Sequence, residues 1–256
     1  TYLRGLPFIN VPTTLIAQID SAIGGKTGVN LTKGKNLVGS FHQPRAVIVD
    51  VSTLQTLPPR ELTAGWCEAV KNGAVGGRKL FQQTTTFLKS LRSNHEQVAA
   101  PALTDLIKSH CAFKVEVVKL DEREDPARTD SHSRRMLNFG HTIAHALESV
   151  TSYRRFRHGE AVGHGMRVAG QISKNLGLLS LPELESLREA IKLCGPLPSA
   201  ADLDPKTILQ HVRTDKKQFG GNVQWVLLEK IGKPRIVSGA EIPAQLIRDS
   251  LRQSLQ

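Results

Sequence analysis

Long apolar runs are missing from this sequence. None approaches the roughly 20 residues that a helix needs to cross a bilayer, which excludes a membrane-spanning helix. Aromatic residues make up only 5% of the 256 residues, with no aromatic-rich RNA signature and no Cys/His finger spacing. The usual marks of a nucleic-acid reader are therefore absent. Cysteine is scarce: Cys67, Cys111 and Cys194 lie far apart and form no CxxC pair. An odd, dispersed set excludes a disulfide framework and fits a reducing compartment, so the expected location is cytoplasmic. Acidic residues are also in deficit, 23 against 34 lysines and arginines, for a net charge of +11. A basic surface favours anionic partners. Because the cations are scattered beside Gly, His and Asn rather than gathered in one run, the expected partner is a phosphorylated or carboxylated small molecule. Nucleic acid and membrane are not expected. The opening Thr1-Tyr2-Leu3-Arg4-Gly5 has neither an initiator Met nor an apolar signal core, and reads as a chain entered mid-domain.

What is present divides near residue 60. Residues 6–19 begin as an apolar, β-branched strand broken by Pro12, and 20–36 form a Gly/Lys/Asn-rich loop. The run AVIVDV at 46–51 has the look of a buried parallel strand. Together these read as the tail of an α/β domain. After Pro58-Pro59 the apolar spacing turns helical, over 60–72, 79–95, 101–119, 138–150, 159–176, 181–194 and 205–213. The charged stretch 120–135 interrupts the helices. Residues 222–237 read as two strands around a turn at Gly232-Lys233, and 239–255 as a closing helix.

The sharpest local signal is Asn138-Phe139-Gly140-His141-Thr142-Ile143-Ala144-His145. Histidines at i and i+4 share a helix face at metal-ligand spacing. Thr142 stands where a zinc-protease helix carries its glutamate, so that chemistry is excluded. Taken alone, the pair reads more readily as one buried and one exposed histidine on an amphipathic helix. His158-Gly159-Glu160 follows, and a turn between helices could bring His158 to His141; Glu160 also suits a helix N-terminus. Glu68 sits in an apolar helical context where a buried acid needs a partner, although a surface Glu68–Lys71 pair at i, i+3 accounts for it as well. Gly24-Gly25-Lys26-Thr27 is not a phosphate loop, because the required earlier glycine is Asp20. Gly34-Lys35-Asn36 fails likewise at Val29, and no GxGxxG follows a strand.

Five ordered blocks nonetheless resemble one family. They are RGLPFINVPTTLIAQIDSAIGGKTGVNLTKGKNLVGSFHQP, LPPRELTAGWCEAVKNGAV, KVEVVKLDERED, RRMLNFGHTIAHALE and HGEAVGHGM. This order resembles the 3-dehydroquinate synthases, strongly to about residue 180 and weakly to the end. The resemblance implies a fold with an α/β remnant of a Rossmann-like NAD-binding domain at 1–60 and a mainly α-helical metal- and substrate-binding domain at 61–256. Most of the NAD-binding domain, with its Gly-rich turn, is expected to be lacking. The implied cofactors are NAD and Zn2+ or Co2+, the metal held by Glu68, His141 and His158. The implied substrate is a phosphorylated keto-sugar acid, 3-deoxy-D-arabino-heptulosonate 7-phosphate, converted to 3-dehydroquinate and phosphate by transient oxidation, phosphate elimination, re-reduction and aldol closure.

Carried over residue by residue, the resemblance implies that His145, Glu124 and Lys71 are catalytic. It implies that Arg4, Asp20, Lys26, Asn36, Lys114, Arg134, Asn138 and Lys216 bind substrate. Thr13, Thr14, Lys26, Lys35, Thr53, Leu54, Gln55 and Thr56 resemble NAD contacts. Arg4 resembles an arginine that reaches a neighbouring subunit, which implies a homodimer. Two alternatives remain: a related cyclase acting on a sugar phosphate without the carboxylate, and an inactive, zinc-stabilised fragment.

Overall fold

The computed structural model describes residues 2, 5–31, 34–93, 100–217 and 223–255, without the side chains of 30, 31, 34–37, 100 and 213–217. Helices dominate. At the centre lies α1 (Pro59–Gly76), which starts on a proline at its first turn and is buried at every residue from Thr63 to Val75. Proline suits that position because its missing N–H has no helical acceptor to lose. A helix buried all round must be covered on several sides. Here the covering elements are α2 (Arg78–Ser93), α3 (Ala100–Leu120), α5 (His158–Asn175) and α6 (Leu181–Leu193). Between α3 and α5 come a 3-10 turn at Arg134–Asn138 and α4 (His141–Val150). After α6 come α7 (Pro205–Lys217) and α8 (Ala244–Leu255). Fully buried apolar side chains such as Leu15, Leu88, Ile143, Leu147, Met166 and Ile172 tie these helices into one core, each worth roughly 1.5–3 kcal/mol of transfer free energy.

Two glycines set the approach of α4 to α5. Gly140 caps α4 at φ 81°, in the left-handed region. A Cβ on Gly165 of α5 would lie 2.0 Å from the Gly140 carbonyl oxygen. Only a residue without a side chain lets the two helices meet this closely.

The strands are few. β1 (Ile9–Asn10) pairs in parallel with β4 (Ala46–Val47), while β2 (Val29–Leu31) and β3 (Gly34–Val38) form an antiparallel pair. β5 (Gln224–Lys230) and β6 (Lys233–Ser238) form a hairpin whose turn holds Gly232 at φ 86°, as the sequence predicts. Trp225 to Leu228 are buried in succession because β5 packs on α5.

The helical segments fall within a few residues of their predicted ranges, but the first fifty residues differ in three ways. Residues 6–19 hold only the two-residue β1, and after Pro12 the chain turns into a π-helix at Ala17–Ser21. The loop expected at 20–36 contains β2 and the start of β3. AVIVDV is not buried: Ile48 is 54% exposed, and Ile9, the partner of Ala46 in the sheet, 56%. A parallel strand is buried only when layers cover both faces, and this sheet has two short strands among the described residues. No described helix is long and apolar enough to cross a membrane.

Candidate active site

A cavity of about 950 Å3 opens where α1, α3, α4, α5 and the 3-10 turn meet the π-helix and the β2–β3 region. Its lining includes Asp20, Lys26, Lys71, Lys114, Glu124, Arg134, Asn138, His141, His145 and His158. Every described side chain predicted from the sequence for substrate or catalysis is therefore in one place, together with two of the three predicted metal ligands. Arg4 lies outside the described residues, as do the side chains of Lys35, Asn36 and Lys216.

The third predicted ligand, Glu68, lies behind this lining. Its side chain is fully buried on α1, and neither carboxylate oxygen accepts a hydrogen bond. Lys71 Nζ stands 2.8 Å from Oε2 as an ion pair, outside the direction of a hydrogen bond. Both partners are interior, so the surface-pair reading does not hold. Glu68 Oε1 is 3.4 Å from His158 Nε2 and 3.8 Å from His141 Nε2. Ligands about 2.1 Å from a tetrahedral ion stand about 3.4 Å apart. A buried carboxylate that accepts no hydrogen bond and faces two imidazole nitrogens at this spacing fits a divalent cation. His145, the other member of the i, i+4 pair, is not in this triad; its ring lies 5.6 Å from that of His141. His145, Glu148 and His158 make a second group with ligand atoms within 4.8 Å of one another.

Beside the triad lies a cluster of buried charges. Asp20 is aimed into the cavity by the π-helix, whose extra residue per turn shows in the Ala22 N–H donating to the Ala17 carbonyl, a device common at functional sites. Its carboxylate pairs with Lys114 and lies 3.4 Å from Lys71 Nζ. Burial alone pushes the Asp20 carboxyl up, but the Lys114 and Lys71 charges hold it far below the usual range. Burial depresses the Lys71 ammonium, and Asp20 with Glu68 more than restores it, so that it stays protonated. For Lys114 burial prevails, and its ammonium is held below the ordinary lysine value despite Asp20.

The opposite lip is built from the charged segment after α3. Glu124 adopts φ 54°, accepts from Asn138 Nδ2 at 3.1 Å and pairs with Lys26. Burial raises its carboxyl, and Lys26, Asn138 and Arg134 bring it below the ordinary glutamate value. Arg134 is buried and donates through Nη1 to the carbonyls of Gly24 (2.8 Å) and Glu122 (2.9 Å). Gly24, at φ 102°, has no room for a Cβ, which would lie 2.3 Å from Arg134 Nη2. Glu160 takes no part in the cavity. It accepts the Arg157 N–H at 2.7 Å and a forked pair from Arg60 at 2.7 and 2.8 Å, fastening the start of α5 to α1.

Of the residues predicted to contact NAD, only Lys26 among the described side chains lines this cavity. A neighbouring cavity of about 340 Å3 shares Ser21, Lys26 and Thr27 with the large one, so Lys26 faces both. Thr13, Thr14, Thr53, Gln55 and Thr56 line neither cavity, and the Leu54 side chain is buried in the core. Gln18 ties these segments together, its Nε2 donating to Pro12 O (3.3 Å), Asp50 O (2.9 Å) and Thr53 Oγ1 (3.2 Å). Sequence reasoning missed Gln18, which has no local signature. It also missed Glu148, although a position seven residues after His141 shares its helix face.

The arrangement can hold one divalent cation beside a cup rich in ammonium and guanidinium groups, sized for a small polyanion. Comparison with known proteins agrees. Residues 1–64 match the family described as 3-dehydroquinate synthase N-terminal, and residues 65–218 match 3-dehydroquinate synthase C-terminal. The 3-dehydroquinate synthase of Nitrosospira multiformis is 41% identical over 253 residues, which are 99% of this chain and 66% of that protein. That of Gloeobacter violaceus is 44% identical along an alignment of 257 positions that covers 98% of this chain and 67% of that protein. The chain thus spans about two thirds of these relatives' length. Among solved structures, a 2-epi-5-epi-valiolone synthase from Streptomyces hygroscopicus with NAD+ and Zn2+ bound matches with a TM-score of 0.84 at 26% identity, over 98% of this chain and 67% of that one. A 2-deoxy-scyllo-inosose synthase complexed with carbaglucose-6-phosphate, NAD+ and Co2+ matches at 0.76 and 27%, over 99% and 68%. With a Glu/His/His triad built on a buried glutamate, a cationic cavity and both family matches in register along the chain, this protein belongs to the 3-dehydroquinate synthase family.

Proposed function

We propose that this chain carries the metal- and substrate-binding machinery of 3-dehydroquinate synthase, a phosphorus–oxygen lyase of aromatic amino acid biosynthesis, and acts on 3-deoxy-D-arabino-heptulosonate 7-phosphate with NAD and a divalent cation. The observation that carries the reading is the convergence of Glu68, His141 and His158 beside Lys71, Lys114 and Arg134 in one cavity. When bound, the cation supplies Lewis-acid polarisation of a substrate oxygen, and NAD supplies a hydride acceptor that is restored at the end.

The chain's own residues supply the rest. Lys71 stays protonated between Asp20 and Glu68 and is placed to hold a substrate oxygen with its charge. Lys114, Arg134 and Asn138 line the side of the cavity where a carboxylate or phosphate meets positive charge. His145 stands one turn beyond the triad on the cavity wall, where an imidazole can move a proton without leaving the ion's coordination incomplete. Glu124, held ionised by Lys26, is an acceptor for a proton at the opposite lip. Enclosure keeps a multistep substrate in one geometry, an entropic advantage.

The same reading divides the chain near residue 60 into the end of a Rossmann-like unit and a helical unit, and places the protein in the cytoplasm as a homodimer. Similarity to cyclases of other sugar phosphates keeps one alternative, a substrate without the carboxylate. The test is phosphate release from the heptulosonate phosphate, with and without NAD and Zn2+ or Co2+, run beside glucose 6-phosphate. Release from the acid substrate that requires the metal supports the proposal. Release from glucose 6-phosphate alone overturns the substrate, and metal-independent release overturns the site.

A further inference from the structure

The two imidazoles that face Glu68 are oriented in different ways. His141 has Nδ1 3.3 Å from the carbonyl oxygen of Phe139, an acceptor on its own backbone. His158 is the first residue of α5 and its side chain is 37% exposed, with its ring 5.1 Å from that of His141 and 6.1 Å from that of His145. Its Nδ1 lies 3.3 Å from Glu148 Oε1, while its Nε2 points at Glu68. Glu148 is nearly fully buried on α4. Its backbone also anchors the turn that leads to His158: the Tyr153 N–H donates to the Glu148 carbonyl at 2.7 Å, and Ser152 and Tyr153 both adopt positive φ there.

We propose that Glu148 is a positioning residue for the cation site: its carboxylate accepts the Nδ1–H of His158 and so commits the Nε2 lone pair to the ion. The inference rests on the Glu68/His141/His158 reading above. A neutral imidazole has one N–H and one lone pair, and an acceptor at Nδ1 fixes which nitrogen carries which. A carboxylate in that place also fixes the ring plane and makes the imidazole a stronger donor to a metal. Glu148 is buried on α4, so water competes little for the carboxylate even with the His158 ring partly open to solvent. In this reading Glu148 holds the ring rather than the ion, since it faces Nδ1 while Nε2 faces Glu68.

The test is Co2+ titration of the full chain, following the visible absorption of bound cobalt, for wild type, Glu148→Gln, Glu148→Ala, His158→Ala and the double variant Glu148→Ala/His158→Ala. Circular dichroism checks the fold of each. Glu148→Gln is expected to weaken cobalt binding about 10-fold and Glu148→Ala by about 10- to 100-fold. The isosteric Gln variant carries the test where the Ala variant does not fold. Because Glu148 acts through His158, the double variant is expected to bind no more weakly than His158→Ala alone. Nitrogen-15 shifts of the metal-free protein are expected to show His158 with its proton on Nδ1 in wild type and redistributed in Glu148→Gln. Wild-type affinity in both Glu148 variants, or additive losses in the double variant, overturns the proposal. Two cobalt ions per wild-type chain, one of them lost in Glu148→Gln, also overturns it by making Glu148 a ligand. A wild-type chain that takes up no cobalt refutes the cation site itself and this inference with it.

Discussion

Protonation of His110 is expected to weaken the helical unit from behind the active site. His110 sits on α3 with 1% of its surface exposed. Its Nε2 is 3.1 Å from Thr84 Oγ1, and that hydroxyl already donates to the Leu80 carbonyl at 2.8 Å. Thr84 must therefore accept, and His110 carries its single proton on Nε2. Nδ1 is buried without a partner, so a second proton would place an unpaired charge in the core. Burial first, and the nearby Lys71 charge second, bring the imidazole from 6.5 to about 4. Between these values the unfolded chain binds more protons than the folded one. Stability from this residue is thus complete above pH 6.5, falls as pH drops toward 4, and changes no further below that. The gap, at about 1.4 kcal/mol per pH unit, amounts to roughly 3 kcal/mol, a large fraction of an ordinary domain's stability. The same helix carries Lys114 one turn on, and the Lys71 charge acts on both His110 and Asp20. Urea unfolding of wild type and His110→Gln from pH 7 to pH 4 measures it. His141 and His164, also depressed by burial, titrate in both proteins and cancel in the difference. Parallel stability curves for the two proteins would refute the reasoning.

Three further outcomes follow from the geometry. Glu68→Gln should abolish the rise in melting temperature on adding Zn2+ or Co2+; in wild type that gain is about 2.7 kcal/mol at an ion concentration 100 times the Kd, and an equal rise in the variant would exclude Glu68 as a ligand. Gly165→Ala should cost about 3 kcal/mol, because its Cβ meets the Gly140 carbonyl, and should weaken cobalt binding by moving α4; unchanged unfolding midpoints would contradict that contact. Lys26→Met should let the Glu124 carboxyl rise. A carboxylate held low stabilises above its unfolded pKa and loses that contribution as pH falls, so the variant should lose less stability than wild type on acidification, and an identical acid dependence would show that the Lys26–Glu124 pair is not formed in solution.

Much of this protein was legible without coordinates where the information is local. Apolar residues recurring at helical spacing announced α1 to α8, since a helix must present one stripe to its neighbours. The Gly232 turn and the start of α1 at Pro58-Pro59 followed from backbone rules that act within a few residues. His141 and His145 were visible as a pair because four residues make one helical turn. Tertiary structure decided what lies between distant segments. It separated that pair, joining His141 to Glu68 and His158 and leaving His145 on the cavity wall. It turned Glu68–Lys71 from an open surface pair into an interior one, and gave Glu148 a partner ten residues away across a turn. AVIVDV looked buried because apolar composition reports a preference for burial, whereas actual burial depends on what packs above and below. Local propensity is set by bonded neighbours, but coordination and charge pairing need side chains brought within a few ångströms by the closing of the whole core, and only the folded chain specifies that.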